Sequence, residues 1–215
     1  MKRLALVALS VLIGSQAVAD TVYRPVVMPL FRRVFDFRVP AGFVPQPLQR
    51  NDKEVLVEFL QIGETFDTWT RLITVRGFRG LGASPLPTYE IATNLFDPKP
   101  CGPTGRVYIG PEKPIVGTLR RSVVVISCGP ASGKAYAGEK AGGGEQDFIY
   151  LFRDDQHLYT LQYAIRGASF DKPPIDPSQA DAILTAALGD VRLCASADEP
   201  GCKPAMDFAA SRGFK

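Results

Sequence analysis

Two segments in the first half of the chain alternate apolar and polar residues. They are residues 54–63, with the sequence EVLVEFLQIG, and residues 69–78, with the sequence WTRLITVRGF. A period of two is typical of a β-strand, and the β-branched and aromatic side chains of the second segment also favour a pleated sheet. Because only the turn-like stretch GETFDT separates them, we predict two antiparallel neighbouring strands.

The second half of the chain contains a clearer pair of strands. Residues 146–167, QDFIYLFRDDQHLYTLQYAIRG, form two alternating segments around a short polar turn at Asp154 and Asp155, which is the pattern of a β-hairpin. Apolar side chains recur on one face of each arm; they are Phe148, Tyr150 and Phe152, then Tyr159, Leu161, Tyr163 and Ile165. The run RSVVVISCG at residues 121–129 is apolar on both faces, so we predict a central strand there.

Two segments have the pattern of a short amphipathic helix. In residues 84–96, SPLPTYEIATNLF, the prolines suit a first turn and the apolar residues fall on one stripe. In residues 176–190, DPSQADAILTAALGD, Asp176 or Ser178 can cap the helix and Gly189 can end it. Each apolar stripe must pack on an apolar surface, and the predicted sheet supplies one.

The segment of residues 20–47 differs from the rest of the chain because prolines recur every few residues. Proline fixes a backbone dihedral and removes a hydrogen-bond donor, so we predict an extended N-terminal arm with one strand at Val34–Val39. Residues 48–194 are then a single α+β domain, in which a mainly antiparallel β-sheet of about five to seven strands is flanked by one or two helices. Residues 195–215 are a C-terminal tail with a disulfide loop.

The first 19 residues have the pattern of a secretory signal peptide. A basic start at Lys2 and Arg3 precedes a short apolar stretch, which small residues end at Ala19. This stretch is shorter than the roughly 20 residues that span a membrane, and no other segment approaches that length. We therefore expect cleavage near Ala19 and a periplasmic or secreted protein without a transmembrane segment.

All four cysteines lie after the predicted cleavage site, where an exported protein meets oxidising conditions. Four cysteines allow three pairings; the turn-rich segment CASADEPGC favours Cys194 with Cys202, which leaves Cys101 with Cys128. The rival interpretation is a metal site, but no two cysteines are separated by two residues, whereas structural zinc sites use four converging ligands at recognisable spacings. We expect neither a metal nor a cofactor.

Charge argues against one class of partner. The chain has 25 basic and 22 acidic residues, and the loss of Lys2 and Arg3 with the signal peptide leaves the mature protein near +1. A protein that binds nucleic acid by neutralising phosphates needs a surplus of basic surface. We therefore expect no nucleic acid partner.

A glycine-rich stretch after the central strand, GPASGKAYAG at residues 129–138, resembles the start of a phosphate-binding loop. Such a loop requires four residues between its glycines and a serine or threonine after its lysine. Here three residues separate Gly129 from Gly133, and Ala135 follows Lys134. We therefore predict a glycine-rich loop between two strands rather than a nucleotide site.

The sequence offers few candidates for acid–base chemistry. His157 is the only histidine and follows Asp154 and Asp155 in the predicted turn, so a hydrolase would have to use His157 with one of these carboxylates. A catalytic base must be held by a buried partner, and solvated turn residues are the simpler interpretation. The other close acidic pair, Glu64 and Asp67, is expected to cap a turn.

Aromatic residues are the remaining candidates. Trp69 is the only tryptophan, and buried aromatic side chains usually serve packing first. If Tyr150, Tyr159 or Tyr163 faces a gap between sheet and helix, it would line a cleft for a small amphipathic ligand. These four residues and His157 are the possible ligand-facing residues of the sequence.

Two stretches carry a resemblance to a known group of proteins. They are GETFDTWTRLITVRGF, and DDQHLYTLQYAIRG followed by a proline-rich spacer, a helix and Cys194. With a cysteine in the mid-chain loop and one on the next strand, they resemble small uncharacterised periplasmic proteins of proteobacteria with a Gly-Glu-x-x-x-x-Trp-Thr motif. The order of elements is also similar to the PsbP/Mog1-like α+β fold. The resemblance implies an accessory or binding role, no catalytic residue, and a bridge between Cys101 and Cys128.

We therefore expect a periplasmic protein without catalytic activity that binds a protein partner or a small ligand through its sheet and its glycine-rich loop. Two alternatives stay open. One is a periplasmic hydrolase that uses His157 with a neighbouring aspartate. The other is a carrier of a small apolar ligand, which requires an enclosed cavity lined by Tyr159, Tyr163 and the Ile183 face of the second helix.

Overall fold

The structure, a computed structural model, describes residues 22–129 and 143–195 of the chain. These residues form twelve β-strands and two α-helices, together with short 3-10 turns. The strands are, in chain order, β1 (Tyr23–Leu30), β2 (Arg33–Pro40), β3 (Phe43–Pro45), β4 (Gln49–Arg50), β5 (Glu54–Gln61), β6 (Arg71–Phe78), β7 (Arg106–Ile109), β8 (Lys113–Val116), β9 (Leu119–Cys128), β10 (Gly143–Arg153), β11 (Leu158–Ala168) and β12 (Arg192–Cys194). The helices are α1 (Thr88–Leu95) and α2 (Ala180–Leu188).

Nine of these strands form one antiparallel sheet, the central sheet. Its order is β3-β5-β6-β11-β10-β9-β7, with β4 beside β5 and β8 beside β9. The predicted hairpin is confirmed, because β10 pairs with β11 from Gly143 opposite Ala168 to Arg153 opposite Leu158. The two strands predicted in the first half of the chain, β5 and β6, are antiparallel neighbours as well.

The N-terminal segment contributes a second, small sheet. The sequence predicts an extended arm with one strand here; the structure instead has the hairpin β1–β2, in which Tyr23 pairs with Pro40. Strand β12 adds to β2, so the order of the small sheet is β1-β2-β12. Pro25 and Pro29 are tolerated in β1 because this strand is at an edge, where proline does not interrupt a ladder on both sides.

The number of strands exceeds the five to seven that the sequence predicts. Five of the twelve described strands have four residues or fewer, which is too short for a period of two to be recognised. The sequence does not predict strand β1 for a different reason, since its prolines interrupt the pattern of strand-forming residues. The prediction of an α+β fold with a mainly antiparallel sheet is confirmed at this coarser level.

The larger apolar core lies between one face of the central sheet and a layer made by the small sheet and α2. Phe35 and Phe37 of β2 pack edge-to-face on Phe152 and Phe59 of the central sheet, with ring centroids 5.5 and 6.1 Å apart. Leu184 of α2 is fully buried in the same core. The aromatic face predicted for the β10–β11 hairpin is therefore the inner face of this layered core.

The opposite face of the central sheet is covered only in part. Ile91 of α1 packs with Val124 of β9 and Ile149 of β10. Helix α1 contains eight residues, since Pro87 precedes it and Asp97-Pro98 follows soon after its end. The cluster under α1 also takes in Leu158 of β11 and Phe78 of β6.

A disulfide joins Cys101 to Cys128, whose Cα atoms lie 5.0 Å apart. It ties the turn before β7 to the end of β9 and confirms this pairing. Cys194 is disulfide-bonded as well, whereas Cys202, its expected partner, lies outside the described residues. The predicted signal peptide, most of the glycine-rich loop and nearly all of the C-terminal tail also lie outside them.

Hydrogen bonds hold the turn between β10 and β11 against the loop before α1. Arg153 donates hydrogen bonds to the carbonyl oxygens of Gly82, at 3.1 Å from Nε, and Leu86, at 2.8 Å from Nη1. The N–H of Gly82 donates to the carbonyl oxygen of Gln156 at 3.0 Å. A β-carbon on Gly82 would overlap the backbone of His157, so this close approach requires glycine.

Candidate functional site

Asp154, in the turn between β10 and β11, lies in the interior. Its side chain is fully buried, and it accepts hydrogen bonds from the backbone N–H groups of Gln156 (2.9 Å) and His157 (2.8 Å). Arg33 Nε donates to Asp154 Oδ2 at 3.1 Å. Burial by itself raises the pKa of Asp154, but these hydrogen bonds and the nearby arginines hold the pKa below its usual value. The prediction of a solvated residue is wrong here.

His157 is also buried, and Asp154 does not orient its imidazole ring. Nδ1 accepts a hydrogen bond from the N–H of Gly80 at 3.1 Å, so this nitrogen has no proton to donate to Asp154. The ring packs against Phe31, with centroids 4.8 Å apart. Burial lowers the pKa of His157 below its usual value, although Asp154 opposes the shift. The neutral ring is therefore the form that we expect at neutral pH.

The second aspartate of the hydrolase hypothesis also has another partner. The Asp155 side chain is 53% exposed and forms an ion pair with Arg32. Among the hydrogen bonds of the described residues, none joins the carboxylate of Asp154 or Asp155 to the ring of His157. The two aspartates instead anchor the β1–β2 hairpin to the central sheet.

Glu64 and Asp67 take part in the internal hydrogen bonds of the β5–β6 loop. One carboxylate oxygen of Glu64 accepts from the N–H and the hydroxyl of Thr70, at 3.1 and 2.6 Å. The N–H of Asp67 donates to the hydroxyl of Thr65 at 3.3 Å. Glu64 therefore caps the start of β6, which agrees with the turn-capping role predicted for it.

A groove of about 600 Å³ separates β1 of the small sheet from the β3–β5 edge of the central sheet. We name it the apolar groove, because aliphatic and aromatic side chains form most of its lining. Strands β1 and β5 contribute most of these, including Val26, Met28, Leu30, Val55, Val57 and Phe59. His157 lines the groove at one end, next to Phe31.

The charged residues that line the apolar groove are arginines. Arg32, Arg50 and Arg79 line it, and none of its described lining residues is acidic. Arg32 is paired with the aspartates of the β10–β11 turn, whereas Arg50 and Arg79 have no carboxylate partner among the described residues. The guanidinium of Arg79 lies over the ring of Phe31, 4.9 Å from its centroid.

Prolines keep the apolar groove open. Leu30 and Arg33 flank a two-residue turn, so they form a hydrogen-bonded pair of the hairpin. Hydrogen-bonded and non-hydrogen-bonded pairs alternate along the two strands, so the backbone nitrogens of Pro25 and Pro29 point away from β2. These nitrogens carry no hydrogen, so another strand cannot pair normally with the outer edge of β1. On the facing edge, β4 contains only two residues. The two sheets therefore do not join here, and the side chains between them line an opening.

A second groove, of about 460 Å³, lies on the opposite face of the central sheet, beside α1. We name it the polar groove. Its floor is made by polar side chains that share this face of four neighbouring strands, namely Glu58 of β5, Thr74 and Arg76 of β6, Gln162 and Arg166 of β11, and Glu145 and Asp147 of β10. Phe66, Trp69 and Phe96 contribute aromatic walls.

An ion pair occupies one end of the polar groove. Arg166 Nη2 lies 2.9 Å from Glu145 Oε2, and the two side chains are only 13% and 4% exposed. The guanidinium of Arg166 lies over the ring of Trp69, 3.7 Å from its centroid. Trp69 is buried, as the sequence predicts, and it also borders the polar groove.

Asp147 is a second buried acid of the polar groove, on the same strand as Glu145. It is 3% exposed, and its Oδ1 atom has no hydrogen-bond partner among the described residues. Burial raises the pKa of Asp147 well above its usual value, and the neighbouring Glu145 raises it further, while Gln162 and Arg166 oppose the shift. A buried acceptor without a donor costs free energy. Asp147 can therefore accept a further hydrogen bond.

No known family model matches this chain. A search of curated proteins finds no relative either. Within residues 22–129 and 143–195, no helix is long and apolar enough to cross a membrane. Within the same ranges, no cluster of three or more His, Cys, Asp or Glu side chains could hold a metal ion.

The predicted ligand-facing residues separate into two groups. Tyr150, Tyr159 and Tyr163 lie in or against the core between the two layers, and none of them is among the described residues that line either groove. His157 lines the apolar groove and Trp69 borders the polar groove.

Sequence reasoning missed the arginines of the apolar groove and the acids of the polar groove. Arg50 and Arg79 are distant in the chain, and only the folded sheet brings them to one opening. The sequence does contain a signal for Asp147, because this charged residue directly precedes the apolar run of its strand. A period of two places it on the same face as Glu145.

Proposed function

We propose that this protein is an exported, non-enzymatic binding protein of the periplasm that holds an amphipathic organic anion in the apolar groove. The observation that carries the proposal is an apolar opening of about 600 Å³ that three arginines line, with no acidic residue among its described lining residues. The ligand would place its hydrocarbon part on the side chains of β1 and β5 and its anionic group at the arginines.

The size and composition of the apolar groove support a small-molecule ligand. Pockets for such ligands have volumes of about 300–1,000 Å³ and are mainly apolar, with a few polar groups that fix orientation. Val57 and Phe59 of the groove are almost completely buried from solvent, and β5 is paired on both sides. A hydrocarbon chain would therefore meet a wall that the sheet already holds in place, which reduces the entropic cost of binding.

The charge of the groove supports an anion rather than a cation. Arg50 and Arg79 carry positive charge that no carboxylate of the described residues neutralises. A guanidinium presents several N–H donors in one plane, which suits the two oxygens of a carboxylate or the oxygens of a sulfate or phosphate. The guanidinium of Arg79, an exposed residue, lies over the ring of Phe31, and this contact favours a position at the groove.

The proposed location in the periplasm depends on the sequence. The signal-peptide pattern of residues 1–19 supports export, and the disulfide between Cys101 and Cys128 suits an oxidising compartment. Binding of a protein partner through the glycine-rich loop stays an alternative, and most of that loop lies outside the described residues.

The other two hypotheses have less support. A hydrolase needs a carboxylate that orients His157, and both His157 Nδ1 and Asp154 are bonded to other groups. A carrier with an enclosed cavity against Tyr159 and Ile183 is close in function to our proposal. Tyr159 belongs to the packed core and Ile183 packs against it, so the apolar groove is the better place for a ligand.

Isothermal titration calorimetry with decanoate tests the proposal, and decyltrimethylammonium serves as a probe of the same chain length and opposite charge. We expect decanoate to bind at one site and the cation to bind about tenfold more weakly. Met28→Glu places a negative charge among the apolar lining residues and should abolish decanoate binding. The matched control is Ile115→Glu, which changes a half-exposed apolar residue of β8 outside the groove.

Arg79→Gln tests the contribution of charge separately. We expect about tenfold weaker decanoate binding, which corresponds to about 1.4 kcal/mol. Arg120→Gln, which changes an exposed arginine of β9 outside the groove, should leave the affinity unchanged. Equal affinity for the two probes, or unchanged decanoate binding by Met28→Glu, would overturn the proposal.

A further inference from the structure

We infer that the polar groove is a second ligand site, and that it takes an ammonium group carried on a small apolar body. This site is separate from the apolar groove, because successive residues of a strand point to opposite faces of a sheet. Val57 of β5 lines the apolar groove, and the next residue, Glu58, lines the polar groove. The inference therefore does not depend on the proposed function.

The first reason is the unsatisfied oxygen of Asp147. This side chain is almost completely buried, it lines the cavity, and its Oδ1 atom has no donor among the described residues. Buried polar atoms are nearly always hydrogen-bonded, so an exception calls for a partner. An N–H donor of a ligand in the cavity would supply it.

The second reason is the balance of charge around the cavity. Each arginine that lines it already has a carboxylate partner: Arg166 is paired with Glu145, and Arg76 Nε lies 2.7 Å from Glu54 Oε1. At the rim, Asp97 is paired with Lys99. What remains is acidic, namely Asp147 and Glu58, and both belong to the floor of the groove.

The raised pKa values of Glu58 and Asp147 suit a site for a cation. Burial raises the pKa of Glu58, with Arg76 opposing, and burial together with Glu145 raises the pKa of Asp147. Both shifts mean that burial in the protein disfavours negative charge on these carboxyls. A bound ammonium ion would favour the ionised form of Asp147, so binding should release a proton.

Charged groups on each neighbouring element line the same cavity as Asp147, and they decide whether its ionised form is favoured or disfavoured. Glu145 of β10 disfavours ionisation of Asp147, and Arg166 of β11 favours it. Glu58 of β5 lines the same cavity, as do Arg76 of β6 and Asp97 after α1. Because Arg76 and Arg166 are paired with glutamates, an added cation is the change that stabilises a charged Asp147.

The walls of the polar groove select for an apolar body on the ligand. Leu72, Leu95, Phe66, Phe96 and Ile126 line it beside the floor, as does Trp69. A bare metal ion fits less well, since no cluster of three or more suitable side chains exists among the described residues. A small aliphatic or cyclic amine would meet both the carboxyl and the apolar walls.

Three probes of one shape test the inference, namely cyclohexylmethylamine, cyclohexylmethanol and cyclohexanecarboxylate. The fluorescence of Trp69 is the reporter, because it is the only tryptophan of the chain and borders this groove. We expect a saturable change with the amine at pH 8, about tenfold weaker binding of the alcohol, and no saturable change with the carboxylate.

Asp147→Asn is the decisive variant. It keeps the size of the side chain and removes its charge, so it should weaken amine binding about tenfold or more and abolish the proton release seen by calorimetry in two buffers. Asp190→Asn is the charge-matched control, since Asp190 is 84% exposed and lies outside the groove. Glu58→Gln is a second variant on the same floor and should weaken amine binding about threefold.

The results that support the inference differ from those that overturn it. Amine-selective binding that Asp147→Asn loses and Asp190→Asn keeps supports the inference, and circular dichroism checks that each variant is folded. Equal affinity for amine and alcohol, or amine binding that both Asp147→Asn and Glu58→Gln retain, overturns it. Neither result bears on decanoate binding, which the apolar groove would have to support by itself.

Discussion

Arg33 Nε donates to Asp154 Oδ2 across 3.1 Å and thereby joins the start of β2 to the turn between β10 and β11. The Arg33 side chain is 13% exposed and that of Asp154 is completely buried. The ion pair is therefore largely removed from water, and its turn also holds His157 at one end of the apolar groove. Removal of either partner should loosen the hairpin that forms one wall of the groove.

Asp154→Ala should destabilise the protein strongly. It leaves Arg33 buried without its partner, and breaking a buried pair in this way costs about 3–5 kcal/mol. Asp155→Ala is the matched control, because it removes a half-exposed carboxylate from the same turn and should cost no more than about 1 kcal/mol. Urea denaturation measures the free energy of unfolding of both variants. Equal losses of this free energy would contradict the role assigned to Asp154.

Asp154 should also make stability depend on pH. The pKa of Asp154 is lowered in the folded state by its hydrogen bonds and arginines, so its ionised form stabilises the fold above the unfolded value of about 3.9. This contribution is lost as the pH falls through the lower, folded pKa. The difference in unfolding free energy between wild type and Asp154→Asn should therefore be largest near neutral pH and shrink below about pH 4. A difference that does not change with pH would show that the charge of Asp154 is unimportant.

Gly82→Ala should disrupt the contact between the loop before α1 and the β10–β11 turn. An added β-carbon would collide with backbone atoms of Asp154 and His157, and backbone cannot move aside as a flexible side chain can. We expect a loss of unfolding free energy of about 3 kcal/mol, the upper end of the usual range for overpacking. Gly167→Ala is the control, because nothing lies within 4 Å of its β-carbon. Thermal unfolding compares the two, and a Gly82→Ala protein as stable as the control would contradict the close packing described here.

The Cys101–Cys128 disulfide should stabilise the fold by closing a loop. The two residues are 27 positions apart, and a closure of this length is worth about 2–4 kcal/mol. The double variant Cys101→Ser/Cys128→Ser should lose this amount in denaturant unfolding. Each single variant also opens the loop, so the double variant should not be much less stable than either one. A double variant with wild-type stability would argue against a structural role of this bridge.

The parts of the fold that could be predicted from sequence are those with a long periodic pattern. Strands β10 and β11 have eleven residues each, and their alternation identified the hairpin. Strand β4 has two residues, and no period can be recognised in so short a segment. Pro25 and Pro29 made β1 look like an extended arm, because proline is rare in strands except at an edge, and the edge position is a property of the whole sheet.

The candidate sites were harder to predict because they depend on tertiary packing. Trp69 and His157 stood out as the only residues of their types, and each lies at one of the two grooves. Arg50 and Arg79 did not stand out, because nothing local distinguishes an arginine with a carboxylate partner from one without. The burial of Asp154 was missed for the same reason, since its partner Arg33 is distant in the chain.

Intermolecular nuclear Overhauser effects between decanoate and methyl-labelled protein test the central claim most directly. The account predicts contacts from the decanoate methylenes to the methyl groups of Met28 and Val57, which line the apolar groove on opposite sides. It also predicts that Met28→Glu removes them. Contacts only to the exposed methyl groups of Ile115 and Val116 in β8, or no contacts at saturating decanoate, would contradict the claim that the apolar groove is the ligand site.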